Sequence, residues 1–166
     1  MDKEIYDLSE RLGMALKSRG MLLATAESCT GGWMSQAVTM VPGSSNWFDC
    51  GFVTYTNRSK REVLGVRSTT LEVDGAVSEM VVREMAAGAL QRSAAHCSVA
   101  VSGIAGPDGG SPSKPVGTVW LAIADRQSNT QAWCLHLQGD RNQVRRQTVL
   151  AALRALLDRV MQTQSV

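Results

Sequence analysis

Long apolar runs are missing from this chain of 166 residues. No stretch approaches the ~18 consecutive apolar residues that a membrane-spanning helix requires, and residues 1–20 carry charges throughout where a signal peptide would have an apolar core. No membrane partner is expected, and a cytoplasmic location is. Histidine is also scarce: the chain has 2, His96 and His136, and neither lies near a cysteine or carboxylate cluster, so a protein-held metal lacks its ligands and none is expected. The cysteines Cys29, Cys50, Cys97 and Cys134 are scattered with no C-x-x-C pair, which reads as free, reduced thiols. Charge of one sign is lacking as well. The formal net charge of +2 is too even for the basic footprint of a nucleic-acid binder, so no nucleic-acid partner is expected. Walker A and G-x-G-x-x-G sequences are absent, which weakens readings as an NTPase or a dinucleotide oxidoreductase. What is present is 44% hydrophobic and 19% charged residues, enough apolar material for one core.

Apolar residues at helical spacing predict a helix over 4–19, ended by Gly20. The run 21–26 reads as a strand, followed by a small-residue turn (Glu27-Ser28-Cys29-Thr30-Gly31-Gly32) and a helix closed by Pro42-Gly43. Residues 50–56 form a second expected strand, with Asn57 capping a short helix that runs to Gly65. Ser78 is the expected N-cap of the next helix, and 97–102 a buried strand. Residues 103–117 hold five glycines and three prolines, a loop of the kind compact domains keep for function. Two strands, 116–124 and 130–138, joined by a turn at 125–129, predict a hairpin, and a final helix spans about 140–161. The alternation argues for an α/β fold, a single three-layer α/β/α domain over 1–166 with a mixed sheet.

Three polar loops can carry chemistry. Thr30-Gly31-Gly32 opens a helix, so its N–H groups and dipole could cradle a phosphate; the alternative is a tight turn and nothing more. Lys60, placed in a first helical turn beside Arg58 and Arg61, should have a lowered pKa and could act as base for a serine hydroxyl. Ser45, after Gly43-Ser44, could be that serine, its turn supplying an oxyanion hole, or could simply cap a short helix. Ser111-Pro112-Ser113-Lys114 matches S-x-x-K, but the prolines make the helical turn that motif needs improbable. Arg141 and Arg145, one turn apart on the last helix, could clamp a phosphate or belong to a solvated basic face.

Taken together, Thr25-Ala26-Glu27-Ser28-Cys29-Thr30-Gly31-Gly32, Gly43-Ser44-Ser45, Gly51-Phe52-Val53-Thr54-Tyr55 with Lys60, Ala76-Val77-Ser78-Glu79, the stretch Ser102 to Gly110 and Lys114 to Trp120 resemble the CinA C-terminal domain family over nearly the whole chain. The resemblance implies a nicotinamide-nucleotide amidase that converts nicotinamide mononucleotide to nicotinate mononucleotide and ammonia in pyridine nucleotide salvage, with no cofactor. Carried over, Ser45 would be the nucleophile, Lys60 its base and Tyr55 a support of the proton network, with a competing scheme in which Lys60 activates water directly and Ser45 only binds the amide. Ser28, Thr30, Gly31, Gly32, Ser102 and Gly106 would surround the substrate, and Arg141 or Arg145 would meet its phosphate. Ser102 stands where the family often has Thr, a hydroxyl either way. The chain resembles the stand-alone members, without the large N-terminal domain some carry. A homo-oligomer, with a dimer expected, is implied. A catalytically weak nucleotide-binding or regulatory paralogue is the alternative; intact Tyr55 and Lys60 favour the enzyme.

Overall fold

The computed structural model describes residues 2–127 and 130–162. In chain order they form α1 (Lys3–Ser18), β1 (Leu23–Glu27), α2 (Trp33–Thr39), a single 3-10 turn (Ser44–Asn46), β2 (Phe48–Val53), α3 (Asn57–Leu64), α4 (Ser68–Asp74), α5 (Glu79–Gln91), β3 (Cys97–Gly103), β4 (Thr118–Asp125), β5 (Gln131–His136) and α6 (Arg141–Gln162). The sheet order is β2-β1-β3-β4-β5, parallel across β2, β1 and β3 and antiparallel from β3 through β5, so the expected mixed α/β sheet is found. Among the described residues no helix is long and apolar enough to cross a membrane.

Strand alternation sorts the core into two layers. On one face Leu23, Val99, Val101, Leu121 and Ile123 pack against α1, α2 and α6 through Leu12, Val38, Leu153 and Leu156. On the other the strands present Ala24, Ala26, Ala100, Ala122 and Ala124, and these short side chains let α5 (Met85, Ala86, Ala89) settle close to the sheet with α3 and α4 beside it. Gly88 completes this close packing: a Cβ there would lie 2.0 Å from the Leu64 carbonyl oxygen at the end of α3.

The sequence reading places these elements to within a few residues, apart from α4, which it passes over. It also misses a cap: α3 is closed at its N-terminus by Thr56, whose hydroxyl accepts from Ser59 N–H while the Ser59 hydroxyl answers, whereas Asn57 is already inside the helix. Ser128 and Asn129 of the expected hairpin turn lie outside the described residues. Ser111 to Lys114 form a tight turn, each end's amide bonding the other's carbonyl, so no helix brings this lysine under this serine.

Topology decides where chemistry can gather. The carboxyl ends of β1, β2 and β3 share one edge of the sheet. The 103–117 loop leaves β3 and enters β4 at that edge, and β5, which runs parallel to β3, delivers the start of α6 there too. Ligand sites of open α/β sheets lie at this edge.

Candidate active site

Register sets Ser28, Thr54 and Ser102 side by side, the first two just past the ends of β1 and β2 and Ser102 near the end of β3, each following a residue of the triplet Glu27, Val53 and Val101 that is paired across the three strands. From α3, Lys60 reaches down onto the central member. Its Nζ donates to Ser28 Oγ at 3.0 Å and to the Thr54 carbonyl at 2.8 Å, with the Tyr55 carbonyl at 3.5 Å. Lys60 is only 1% exposed and no carboxylate is among these contacts. Burial, opposed only by the neighbouring Cys29, brings its pKa from 10.5 down to about 8. The lowering expected from sequence is present, but desolvation causes it rather than the helix dipole or Arg58 and Arg61.

Ser45 stands elsewhere. It lies in the exposed 3-10 turn before β2, and the Trp47 carbonyl just after it accepts from Leu23 N–H at the amino end of β1. A strand's length, about 16 Å at ~3.3 Å per residue, separates that end from Ser28. The expected pairing of Ser45 with Lys60 is therefore not formed, and the serine against the lysine is Ser28.

Glu27 is the residue that sequence reasoning quoted and gave no role. Its carboxylate is fully buried and accepts five hydrogen bonds: from the Thr30 hydroxyl (2.6 Å), the amides of Gly32 (3.0 Å), Met34 (3.0 Å) and Ser35 (2.8 Å), and the Ser35 hydroxyl (2.8 Å). The Gly31 and Trp33 amides go to the carbonyls of Ser28 and Thr30. The N–H groups that would have cradled a phosphate at Gly31-Gly32 are thus already taken within the chain. Gly32, at φ +97° as the N-cap of α2, keeps the tight-turn role that was the alternative.

The remaining expected residues close the edge. Ser102, buried, donates to the Ala76 carbonyl at 2.7 Å and so ties β3 to the segment before α5. Arg141 donates to the Gly106 carbonyl (2.8 Å) and the Tyr55 hydroxyl (2.9 Å), bridging the glycine-rich loop to the chain after β2; Tyr55 is 57% exposed, so this bridge is at the rim. Arg145, one turn on, is held differently: Nε donates to the Cys29 carbonyl (3.1 Å), an Nη to the Thr30 carbonyl (2.9 Å), and its guanidinium lies over the Trp33 ring at 5.4 Å. Cys29 packs under Ala105, Val119 and Val144, and burial pushes its thiol up to about 11, leaving Ser28 without a competing thiolate beside it at neutral pH. Among the described residues no cluster of three or more His, Cys, Asp or Glu is placed to hold a metal.

A serine hydroxyl against a buried amine with a lowered pKa, on the ligand-binding edge of an α/β sheet, is an arrangement for acyl transfer. Residues 5–160 match the CinA C-terminal domain. The chain belongs to the CinA C-terminal domain family. Among CinA relatives, the nicotinamide-nucleotide amidohydrolase PncC of Escherichia coli strain K12 is 52% identical over 163 residues, covering 97% of this chain and 98% of the relative. The protein of the same name from Pseudomonas putida is 53% identical over 153 residues, covering 92% and 95%. Of the solved CinA structures, the competence/damage inducible protein CihA from Agrobacterium tumefaciens superposes with a TM-score of 0.92 at 45% identity, covering 96% of each chain.

Proposed function

We propose that this CinA domain is a nicotinamide-nucleotide amidohydrolase that releases ammonia from nicotinamide mononucleotide by a Ser28–Lys60 mechanism. The observation that carries the mechanism is the 3.0 Å contact between a buried Lys60 Nζ and Ser28 Oγ. The relatives named as such amidohydrolases at about half identity supply the substrate class.

With Lys60 neutral, the Ser28 hydroxyl gives its proton to Nζ as Oγ adds to the carboxamide carbon. The tetrahedral oxyanion collapses, the C–N bond breaks, and the leaving nitrogen takes the proton back from Lys60 and departs as ammonia. The nicotinoyl ester left on Ser28 is attacked by water, whose proton passes to Lys60. The ester C–O bond then breaks, Ser28 recovers its hydrogen from Lys60, and the nicotinate mononucleotide carboxyl loses a proton to solvent. Arg141, exposed at the rim with Tyr55, meets the phosphate. The intact dyad favours turnover over a binding-only role, and the free thiols of the described chain suit a reducing cytoplasm.

Ammonia release by Ser28→Ala and Ser45→Ala tests the assignment. The first should lose several orders of magnitude, as on removing a nucleophile, and the second should keep most of the activity. Acid-quenched wild type should show the acyl adduct on Ser28 by intact mass. If Ser28→Ala retains more than about a tenth of the rate, the covalent scheme is wrong.

A further inference from the structure

The turn that carries Ser28 is gripped by opposite charges on two sides. From within, the buried Glu27 carboxylate takes five donors, including the Thr30 hydroxyl and the first amides of α2. From α6, the Arg145 guanidinium takes the Cys29 and Thr30 carbonyls and is steadied by Trp33. A trans peptide is planar with its C=O and N–H antiparallel. Holding the Cys29 carbonyl toward α6 therefore turns the Thr30 N–H away from α6. Among the described residues no backbone carbonyl or side-chain oxygen accepts from the amides of Cys29 or Thr30, the Cys29 amide meeting only its own thiol sulfur, although the neighbouring amides of Ser28, Gly31, Gly32 and Trp33 all have oxygen acceptors. The amide that follows a nucleophilic serine is where acyl-transfer enzymes place oxyanion donors.

We infer that Glu27 and Arg145 are an opposed pair of positioning charges that fix the Ser28–Thr30 turn so that the Cys29 and Thr30 N–H groups receive the oxyanion formed when Ser28 adds to a carbonyl. The inference rests on the Ser28 amidase reading. It takes Arg145 out of phosphate recognition, because the guanidinium is engaged by the Cys29 carbonyl and shares the Thr30 carbonyl with the Trp33 amide. It also gives the guanidinium a second effect: a cation on the Cys29 carbonyl polarises that peptide and makes Thr30 N–H a stronger donor.

The experiment uses two readouts on the full chain: kcat and KM for nicotinamide mononucleotide, and the second-order rate at which a small alkyl fluorophosphonate labels Ser28, followed by intact mass. The phosphoryl oxygen of that probe occupies the oxyanion position whatever the natural substrate is. Arg145→Gln should lower both kcat and the labelling rate by about ten- to a hundredfold, with KM within about threefold of wild type. Arg145→Lys, which can keep one carbonyl contact, should recover part of both. Glu27→Gln should act in the same direction, and if it does not fold the two Arg145 variants decide alone. A raised KM with unchanged kcat and labelling in Arg145→Gln would make Arg145 a phosphate ligand and overturn the inference, as would a wild type that the probe does not label at Ser28. A wild type that labels at Ser28 yet leaves nicotinamide mononucleotide intact would sink the substrate reading only, and the labelling rates would still judge the positioning pair.

Discussion

Lys60 ties activity to a stability cost that can be measured separately. Its pKa falls from 10.5 to about 8 on folding because the ammonium is buried, with a serine hydroxyl and backbone carbonyls for partners. Below pH 8 the lysine is protonated both folded and unfolded, and the full burial penalty is present. Between about 8 and 10.5 the unfolded chain holds more protons than the folded one, so stability rises with pH across that window. The 2.5-unit difference corresponds to up to about 3 kcal/mol at 1.36 kcal/mol per unit. Lys60→Met keeps the unbranched chain without the charge. It loses the contacts to Ser28 and the Thr54 carbonyl, a pH-independent cost of about 1–3 kcal/mol, so at pH 7 the two proteins should be of comparable stability. Urea unfolding of both at pH 7, 8, 9 and 10, monitored by circular dichroism, should show wild type gaining on the variant as pH rises, toward about 3 kcal/mol in total. Wild-type kcat/KM should climb about tenfold per pH unit below 8 and then level, since about a tenth of Lys60 is neutral at pH 7, and Lys60→Met should release no ammonia. Stability curves that stay parallel from pH 7 to 10 would refute the buried ammonium, and a flat activity profile through pH 8 would remove Lys60 as the base.

Arg141→Ala should raise KM by about ten- to a hundredfold with a smaller change in kcat, since a charge-assisted contact to a phosphate is worth roughly 1.5–3 kcal/mol; steady-state kinetics that leave KM unmoved would place the phosphate elsewhere. Gly88→Ala drives a methyl to 2.0 Å from the Leu64 carbonyl oxygen, so α3 must lift off α5. A loss of about 3 kcal/mol or more is expected, seen as a lower melting temperature together with lower ammonia release, because α3 carries Lys60; an unchanged melting temperature would mean that the interface yields more easily than this packing implies.

The sheet and its helices are legible because periodicity is local: the 3–4 spacing of Ile5, Leu8, Leu12 and Leu16 and the β-branched and alanine-rich strands need no partner to be recognised. The site was half legible. The sequence singles out Lys60, Tyr55, Arg141 and the Ser28–Gly32 turn, which the structure gathers at one edge of the sheet, yet it points to Ser45 rather than Ser28 as the partner of Lys60. Chain direction alone could have ranked them, since Ser28 follows its strand and Ser45 precedes one, and only the first can lie at the carboxyl edge. The α4 helix escaped because Ser68–Asp74 is short and polar, with only Thr70 and Leu71 buried.

Glu27 shows why the remaining part could not be read from a motif. A Gly-Gly pair opening a helix advertises free N–H groups only if nothing in the chain has claimed them, and whether a side chain has done so depends on which face of β1 it occupies. Glu27 lies on the α2 face of the sheet, with Thr25, whose hydroxyl meets the Ser35 hydroxyl at 2.8 Å. One residue of register either way would have turned the carboxylate to the α5 side and left the helix end open to an external anion. In this chain an internal anion fills that place, so the first turn of α2 serves the geometry of Ser28, and the proposed reading leaves a substrate phosphate to Arg141 of α6. A buried carboxylate beside Ser28 would oppose a developing oxyanion; the five donors it accepts weaken its field there without cancelling it, since its charge still helps to raise the pKa of the neighbouring Cys29 thiol. That balance is what Glu27→Gln disturbs: whichever oxygen the amide nitrogen replaces, it meets at least one backbone N–H, so at least one of the five contacts must break while the volume stays the same.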